Sequence, residues 1–512
     1  MKGIKKNSIC VFSPFWWLRY YIFLLLIPSS LTGQEVKQIE INADYIEFDS
    51  DLGTGAKRLL GNVRFMHEDI LMTCDSAWYF SEENMVESFS NVHLWQGDTL
   101  DLYGDYLRYS GNNKMANVRN NVVLIDNENR LTTDYIDHDF GNDLAYYLDG
   151  GRIINGDNTL VSKQGYYYTR EKLFFFKDSV VVINPDYTMY SDTLKYNTIT
   201  EVAYFLGPTD IISDENYIYC ENGWYDTQNN ISQFNKNAYL QNEGQILKGD
   251  SIYYNRKTGL GKAFKNVLLE DTTENMILQG EIAIYNEQTE YAMLTDSALM
   301  IQVEKGDTLF IHADTLLSIP DTIPEKRLLK AFYHVKFFRE DIQGKCDSLV
   351  YTDVDSVFHF FGDPVLWSDE NQLSAEKIEI YTKNQQLDRL EMINAAFIIS
   401  FEDSTKFNQI KGRNMTGYII ANQLRRITVD GNSQSIYYAK EEEDYIGVNK
   451  AESSNLEISF SDNKINKILF KPNTDGTFFP IQKFPSTEAK FEGFRWYEEY
   501  RPRNRNDVFR WN

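Results

Sequence analysis

The stretch from Leu60 to Phe80 reads LGNVRFMHEDILMTCDSAWYF, and from Phe89 to Tyr109 the chain says nearly the same again, FSNVHLWQGDTLDLYGDYLRY. Two landmarks carry the likeness. The first is a small residue, then Asp or Glu, an aliphatic residue two positions on and usually an aromatic two beyond that. It stands clearly as ADYIEF at Ala43, CDSAWY at Cys74, GDYLRY at Gly104, SDTLKY at Ser191, GDSIYY at Gly249, GEIAIY at Gly280 and CDSLVY at Cys346. Looser copies begin at Thr133, Lys163, Cys220, Ala313, Ala375 and Ser433, and from Ala43 to Gly280 successive starts lie 28 to 31 residues apart. A fixed period of this length marks a repeat architecture and decides the fold.

The second landmark is Asn followed by an alternating apolar pair: NVRF at Asn62, NVHL at Asn91, NVVL at Asn121, NAYL at Asn237, NVLL at Asn266 and NAAF at Asn394. Turn-forming runs such as SGNNK, FGND, TQNN and NRKTG separate the landmarks, so each unit is a few short strands with side chains alternating between two faces. A unit of about thirty residues cannot bury its apolar face alone and must stack on its neighbours. The expectation is an all-β, elongated array; thirteen such units adding two strand rows each would be about 120 Å long. Alternation places Val63, Phe65, Ala77 and Tyr79 inward. It puts Asn62 and Asp75 near strand entrances, where such side chains satisfy turn amides. A ladder of calcium sites would need several glycines and acids packed into each turn, which these turns lack.

Composition agrees with β structure: 14% of the 512 residues are aromatic, and 11 prolines interrupt few strands. Residues 1–33, with Lys2, Lys5 and Lys6 ahead of the apolar run YYIFLLLIPSS, read as a secretory signal cleaved near Gly33, with an uncleaved anchor as the alternative. The formal charge is -24, or -28 without that segment. Such an acidic exported protein is a poor partner for nucleic acid or an anionic membrane. Cys74, Cys220 and Cys346 all fall at the small position of the first landmark and read as turn fillers. Being odd in number, they cannot all pair within the chain.

Regular repeats are expected over 34–318. A looser continuation follows over 319–445, after the break IPDTIPEKR, and a C-terminal segment over 446–512 begins after the acidic run KEEEDY. The end of that segment, FEGFRWYEEYRPRNRNDVFRWN, is aromatic and basic; it reads as a solvated terminus or as a docking peptide for a partner. The six histidines have no metal spacing, and there is no nucleophile elbow, phosphate loop or dinucleotide fingerprint. The reading is therefore a non-enzyme, without cofactor or metal.

The pattern GNVRF…ILMTCDSAWY in an exported chain resembles the OstA-like domain of lipopolysaccharide transport, the family of the periplasmic bridge protein LptA and of the N-terminal part of LptD. The resemblance covers residues 36 to 305 well and 306 to 440 loosely. It implies an open, twisted β-jellyroll of stacked V-shaped strands in which an apolar groove shields the acyl chains of lipid A in the periplasm. It also implies docking, by exposed edge strands, to an LptD-like outer-membrane translocon and to inner-membrane Lpt components. Carried over position by position, the groove lining would be Val63, Phe65, Ala77, Tyr79, Val92, Leu94, Leu107, Tyr109, Val122, Leu124, Leu194, Ile252, Val267 and Leu269. Replacing Val92 or Leu124 with Asp is then expected to weaken lipid binding without abolishing folding. No barrel follows the array, so a complete translocon is not expected. Rival readings are a closed exported β-solenoid serving as a spacer or adhesive surface, and a polysaccharide-acting β-solenoid enzyme using exposed Tyr, Trp and acids.

Overall fold

A computed structural model describes residues 37–511, apart from 49–54, 98–99, 274, 305–306, 322, 324–325, 353, 384–385, 421–422, 443 and 462–463. The expected signal segment, residues 1–33, lies outside the described residues. Thirty-six strands join in one sheet, and each pairs antiparallel with its neighbours. No α-helix occurs among the described residues.

Each long strand bends at its middle, and the bend explains the second landmark. In the strand Ala56–His67 the residues Gly61 and Asn62 have φ of 73° and 48°. The same left-handed pair recurs at Ser90–Asn91, Asn120–Asn121, Lys236–Asn237 and Lys265–Asn266. Most side chains resist this region; Asn tolerates it because its short amide bonds locally. Leu60 pairs with Ser76 and Val63 with Cys74, so Gly61 and Asn62 both oppose Asp75. Two residues against one is a β-bulge, which turns the strand and raises its twist. Each long strand thus becomes a V; in the strand Ala56–His67, arm A holds Val63–His67 and arm B holds Ala56–Leu60. One repeat is two such V-shaped strands.

The landmark residues therefore sit in mid-strand at the corner, and not at strand entrances. Their side chains also find each other instead of turn amides. The Nδ2 of Asn62 donates to Asp44 at 2.8 Å, Asn91 to Asp75 at 2.7 Å, Asn121 to Asp105 at 2.6 Å and Asn237 to Glu221 at 2.7 Å. In the copy read as beginning at Lys163 the buried small position is Ser162, one residue earlier, so Lys163 stands in the acid's place; there Asp178 takes the corner and the pair survives with roles exchanged, at 3.4 Å. A ladder of amide–carboxylate bonds thus runs along the fold line.

Side chains on the inner faces of the two arms meet across the V. Beside the corner runs a row of small residues: Cys74, Val92, Gly104, Val122, and later Cys220, Ala238, Gly249, Val267 and Gly280. The three cysteines are buried in this row as free thiols. Burial raises the Cys220 thiol to about 12 and shifts Cys74 and Cys346 in the same direction. At residues 148–150 the corner widens and strands split into separate arms. There Gly151 and Gly165 leave room for the Tyr147 ring, which a Cβ at either position would strike.

One buried cluster runs from Ile39 to Ala298, a second from Ile311 to Ile458, and a third joins Phe397, Ile399, Phe407 and Tyr438 to Phe491. Strands continue past residue 445. Gln423–Glu441 pairs with Asp444–Ser461, and that strand pairs with Lys464–Phe470 and Asp475–Pro480. In this longest hairpin the acidic run reaches into both strands, Lys440 pairing with Tyr445 and Glu441 with Asp444.

The aromatic, basic tail is held to the sheet, although several of its residues, among them Arg503, Arg505 and Trp511, remain exposed. It lies back along the outer face of arm A, across buried Gln409 and Gln372. Gln409 donates to the Ala489 carbonyl at 2.8 Å and accepts from the Phe491 amide at 3.0 Å; Gln372 does the same with Arg495 and Tyr497, at 2.8 and 2.7 Å. Each glutamine amide imitates one rung of a β-ladder. Phe407 packs against Phe494 and Trp496, Arg501 reaches Gln343 at 2.8 Å, and Lys336 donates to the Arg510 carbonyl.

Candidate functional site

The interior of the V is the candidate site. Two rows of large side chains line it. In arm A, pairing carries one row from Phe65 through Met72, Leu94, Leu102, Leu124 and Leu131 to Met189, then on through Ile211, Ile218, Leu240, Leu247, Leu269, Leu278 and Met300 to Ile311. Near the tip of arm B a second row alternates large with small: Tyr79, Val86, Tyr109, Ala116, and later Tyr196, Ala203, Tyr225, Ser232, Tyr254 and Gly261. Alternation of this kind lets rings interleave without voids.

These rows are not equally covered along the array. Phe65, Met72, Leu94, Leu102 and Leu124 are fully buried, whereas Ile211, Ile218, Leu240, Leu247, Leu269, Leu278 and Met300 are half-buried. In arm B the change is parallel: Tyr109 is sealed, Tyr196, Tyr225 and Tyr254 are half-buried, and Tyr285 is 48% exposed. Every residue from Met276 to Ala283 lacks full burial. Cover returns at Ile311, Phe337 and Leu366. The interior is thus filled over about 56–182 and open over about 196–304; beyond that arm A is covered again, while in arm B inward Leu329, Tyr351 and Phe358 stay partly exposed.

Polar clasps across the tips explain the sealed part. His67 in arm A meets the Tyr109 hydroxyl of arm B at 2.6 Å, and beside it Lys114 donates to Glu68 at 2.6 Å. Further along, the buried Asp126 carboxylate of arm A accepts from the Tyr167 hydroxyl and from Lys172, the latter at 2.6 Å. Burial first, and the carboxylate second, push the Tyr167 hydroxyl far above its ordinary range. Residues 37–39 add a strap over the first units: the Ile39 amide donates to Asn84 at 3.0 Å and the Lys37 carbonyl meets His67 at 3.0 Å. Beyond Tyr187 the side-chain bonds run along a single arm, as in Tyr217 to Asp210 at 2.6 Å, Gln245 to Asp271 at 2.9 Å and Tyr254 to Glu287 at 3.0 Å.

Of the fourteen residues picked out as groove lining, all but Leu269 are buried, and all buried ones belong to the first cluster. Ten of them, from Val63 to Leu124, lie in the sealed section, where the inward side chains are buried. Leu194, Ile252, Val267 and Leu269 lie in or beside the open section. The residues with the most access, Ile211, Ile218, Leu240, Leu247, Leu278 and Met300, were not singled out. Their period was visible, but their exposure depends on the loss of clasps between partners 41 to 46 residues apart. Inside the sealed section two buried side chains lack a hydrogen-bond partner: the Ser88 hydroxyl, and both ring nitrogens of fully buried His138, whose ring stacks on Phe140 at 3.9 Å. Burial pushes the His138 imidazole down to about 3. Among the described residues no group of three or more His, Cys, Asp or Glu could hold a metal ion.

Fold and site define a β-jellyroll array with an apolar interior that is open along part of its length. Over residues 36–247 the chain is OstA-like in sequence: the family described as OstA-like protein matches residues 36–192 and again 188–247. Among solved structures, the chain is similar to LptH from Pseudomonas aeruginosa, the LptA homologous periplasmic component of the lipopolysaccharide transport device. That similarity has 15% identity and a TM-score of 0.21, and covers 27% of this chain and 95% of that one. No curated protein matches the chain.

Proposed function

We propose that this protein carries the acyl chains of lipopolysaccharide, or of a similar multi-chain lipid, in the open section between residues 196 and 304. The observation that carries the reading is the partial exposure of a continuous aliphatic row facing a row of tyrosines, in a sheet whose preceding section is sealed. Apolar surface left open in this way costs about 25 cal/mol per Å², and each methylene laid against it gains about 0.8 kcal/mol. The OstA-like sequence over 36–247 supports a role in lipopolysaccharide transport, and the apolar leader over residues 1–33 supports a periplasmic location.

In this reading the chains enter sideways through the mouth of the V instead of sliding from end to end, because the first units are filled. Partners attach by strand addition. The strand Tyr45–Phe48 pairs on one side with Lys57–Leu60 and presents Tyr45, Ile46 and Phe48 at 70%, 52% and 64% exposure. An apolar edge of that kind accepts a strand from an inner-membrane Lpt component or an LptD-like translocon. A spacer role is the second reading, favoured by the filled interior of the first units. Native mass spectrometry of residues 34–512 recovered from the exported fraction decides between them. Co-purified multi-acyl lipid is the expected result; a lipid-free protein that also refuses added lipid A would establish the spacer.

A further inference from the structure

On the outer face of arm B an aromatic row begins late in the sealed section and continues along the strands where the interior opens. At the start of the array this line is mostly charged, with Arg58 beside Glu47 and Arg108 beside Glu87, each at 3.9 Å, and a single ring, Trp78, between Arg58 and Glu87. Further along, the same line of paired residues becomes Tyr166, Phe175, Lys195, Tyr204 and Trp224, and after Gln233 it reaches Tyr253 and Lys262. Five rings stand half-buried or exposed on neighbouring or next-neighbouring strands, about 5 to 10 Å apart. Lys195 lies 5.7 Å from the Tyr204 ring centre, and neither Lys195 nor Lys262 joins an ion pair among the described residues. The row therefore holds two cations among its rings with no acid paired to either among the described residues.

We propose that this row is a binding surface for an acidic oligosaccharide, the headgroup of the amphiphile whose chains fill the interior; it rests on that reading for its position. Rings with polar edges take the apolar faces of sugar rings while donors between them meet hydroxyls and anionic groups. The row alternates these two elements along the sheet. Trp224 and Tyr253 are the sequence neighbours of Tyr225 and Tyr254, which point into the interior. The two surfaces therefore lie back to back, about 7 Å from the tip of arm B, and a headgroup leaving the mouth turns over that tip onto the rings. Charge complementarity favours a carboxylate- or phosphate-bearing sugar over a neutral one.

The test uses the full exported chain and three probes: the lipid-free oligosaccharide released from lipopolysaccharide by mild acid, neutral maltohexaose, and sugar-free cis-parinaric acid. We expect saturable binding of the acidic oligosaccharide by calorimetry, at least tenfold weaker in the Trp224→Ala, Tyr253→Ala double variant, restored by Trp224→Phe, with parinaric acid binding unchanged. Lys195→Gln with Lys262→Gln should remove most of its salt dependence. No saturable binding to the native chain, or equal binding to the aromatic double variant, would overturn the proposal, and maltohexaose bound as tightly would overturn its acidic character. Failure of parinaric acid alone would instead count against the lipid-carrying interior.

Discussion

One substitution made at two points of the same row separates a filled core from an open site. Leu94 and Leu247 occupy equivalent inward positions of arm A, the first fully buried between Met72 and Leu102, the second half-buried between Leu240 and Leu269. In Leu94→Asp the loss of the buried side chain costs about 2–5 kcal/mol. A carboxyl group in that dry interior, its pKa raised by about three units, adds about 4 kcal/mol at neutral pH. Together these rival the whole stability of a typical domain, about 5–15 kcal/mol, so the units around Leu94 should lose their fold. In Leu247→Asp the carboxylate reaches water, and about 1 kcal/mol of burial is lost. Its damage falls on the ligand: two methylenes displaced, at about 0.8 kcal/mol each, weaken an acyl chain by about fifteenfold. Hydrogen exchange over peptides spanning residues 85–110 and 231–271, with parinaric acid titration, reads both effects. Native protection in Leu94→Asp, or affinity within twofold of native in Leu247→Asp, would refute the division into sealed and open sections. The change at Val92 or Leu124, natural choices for blocking a groove, falls in the sealed part and should unfold it instead.

At the corner, Asn91→Gly keeps the left-handed backbone and loses only the bond to Asp75, for about 0.5–1.5 kcal/mol; Asn91→Ala adds about 1 kcal/mol of backbone strain, and chemical denaturation should rank them so. His138 is buried neutral with its pKa depressed to about 3, so the unfolded chain binds the extra proton. Stability contributed there is intact above about pH 6.5 and falls by about 1.4 kcal/mol per unit as pH drops toward 3; His138→Leu should flatten that part of the pH dependence of Tm. Removing residues 485–512 strips the partners of Gln372 and Gln409, and should raise hydrogen exchange over 365–412 while leaving parinaric acid binding intact. With all three thiols buried and their pKa raised, Cys74, Cys220 and Cys346 should resist iodoacetamide in the native state and react on unfolding, as counted by mass spectrometry.

Much of this architecture was legible because it depends on local rules repeated many times. The 28–31 residue spacing, the alternation around Val63 and Phe65, and the small position at Cys74 each reflect a strand face that any reader of period two recovers. The bend was misplaced because a strand entrance and a bulge select the same residue: Asn is welcome at both, and only the pairing of Leu60 with Ser76 and Val63 with Cys74 tells them apart. The extent of the open site was hidden for a different reason. Leu94 and Leu247 look alike in sequence, and their difference lies in contacts such as Asp126 with Lys172, between residues 46 apart. The tail was unreadable for the same cause, since Gln372 and Gln409 are 120 and more residues, or about 80, from the backbone they hold.

The clasps also set how the molecule comes apart. Each joins a residue to one 41 to 46 positions ahead, which is about one and a half repeats, so the tips overlap like roof tiles. A crack starting at the first strand cannot advance by one repeat without breaking a bond that belongs to the next. Pulled from its N-terminus, the sealed section should yield in a few large force steps, and the open section should then run out strand by strand at lower force.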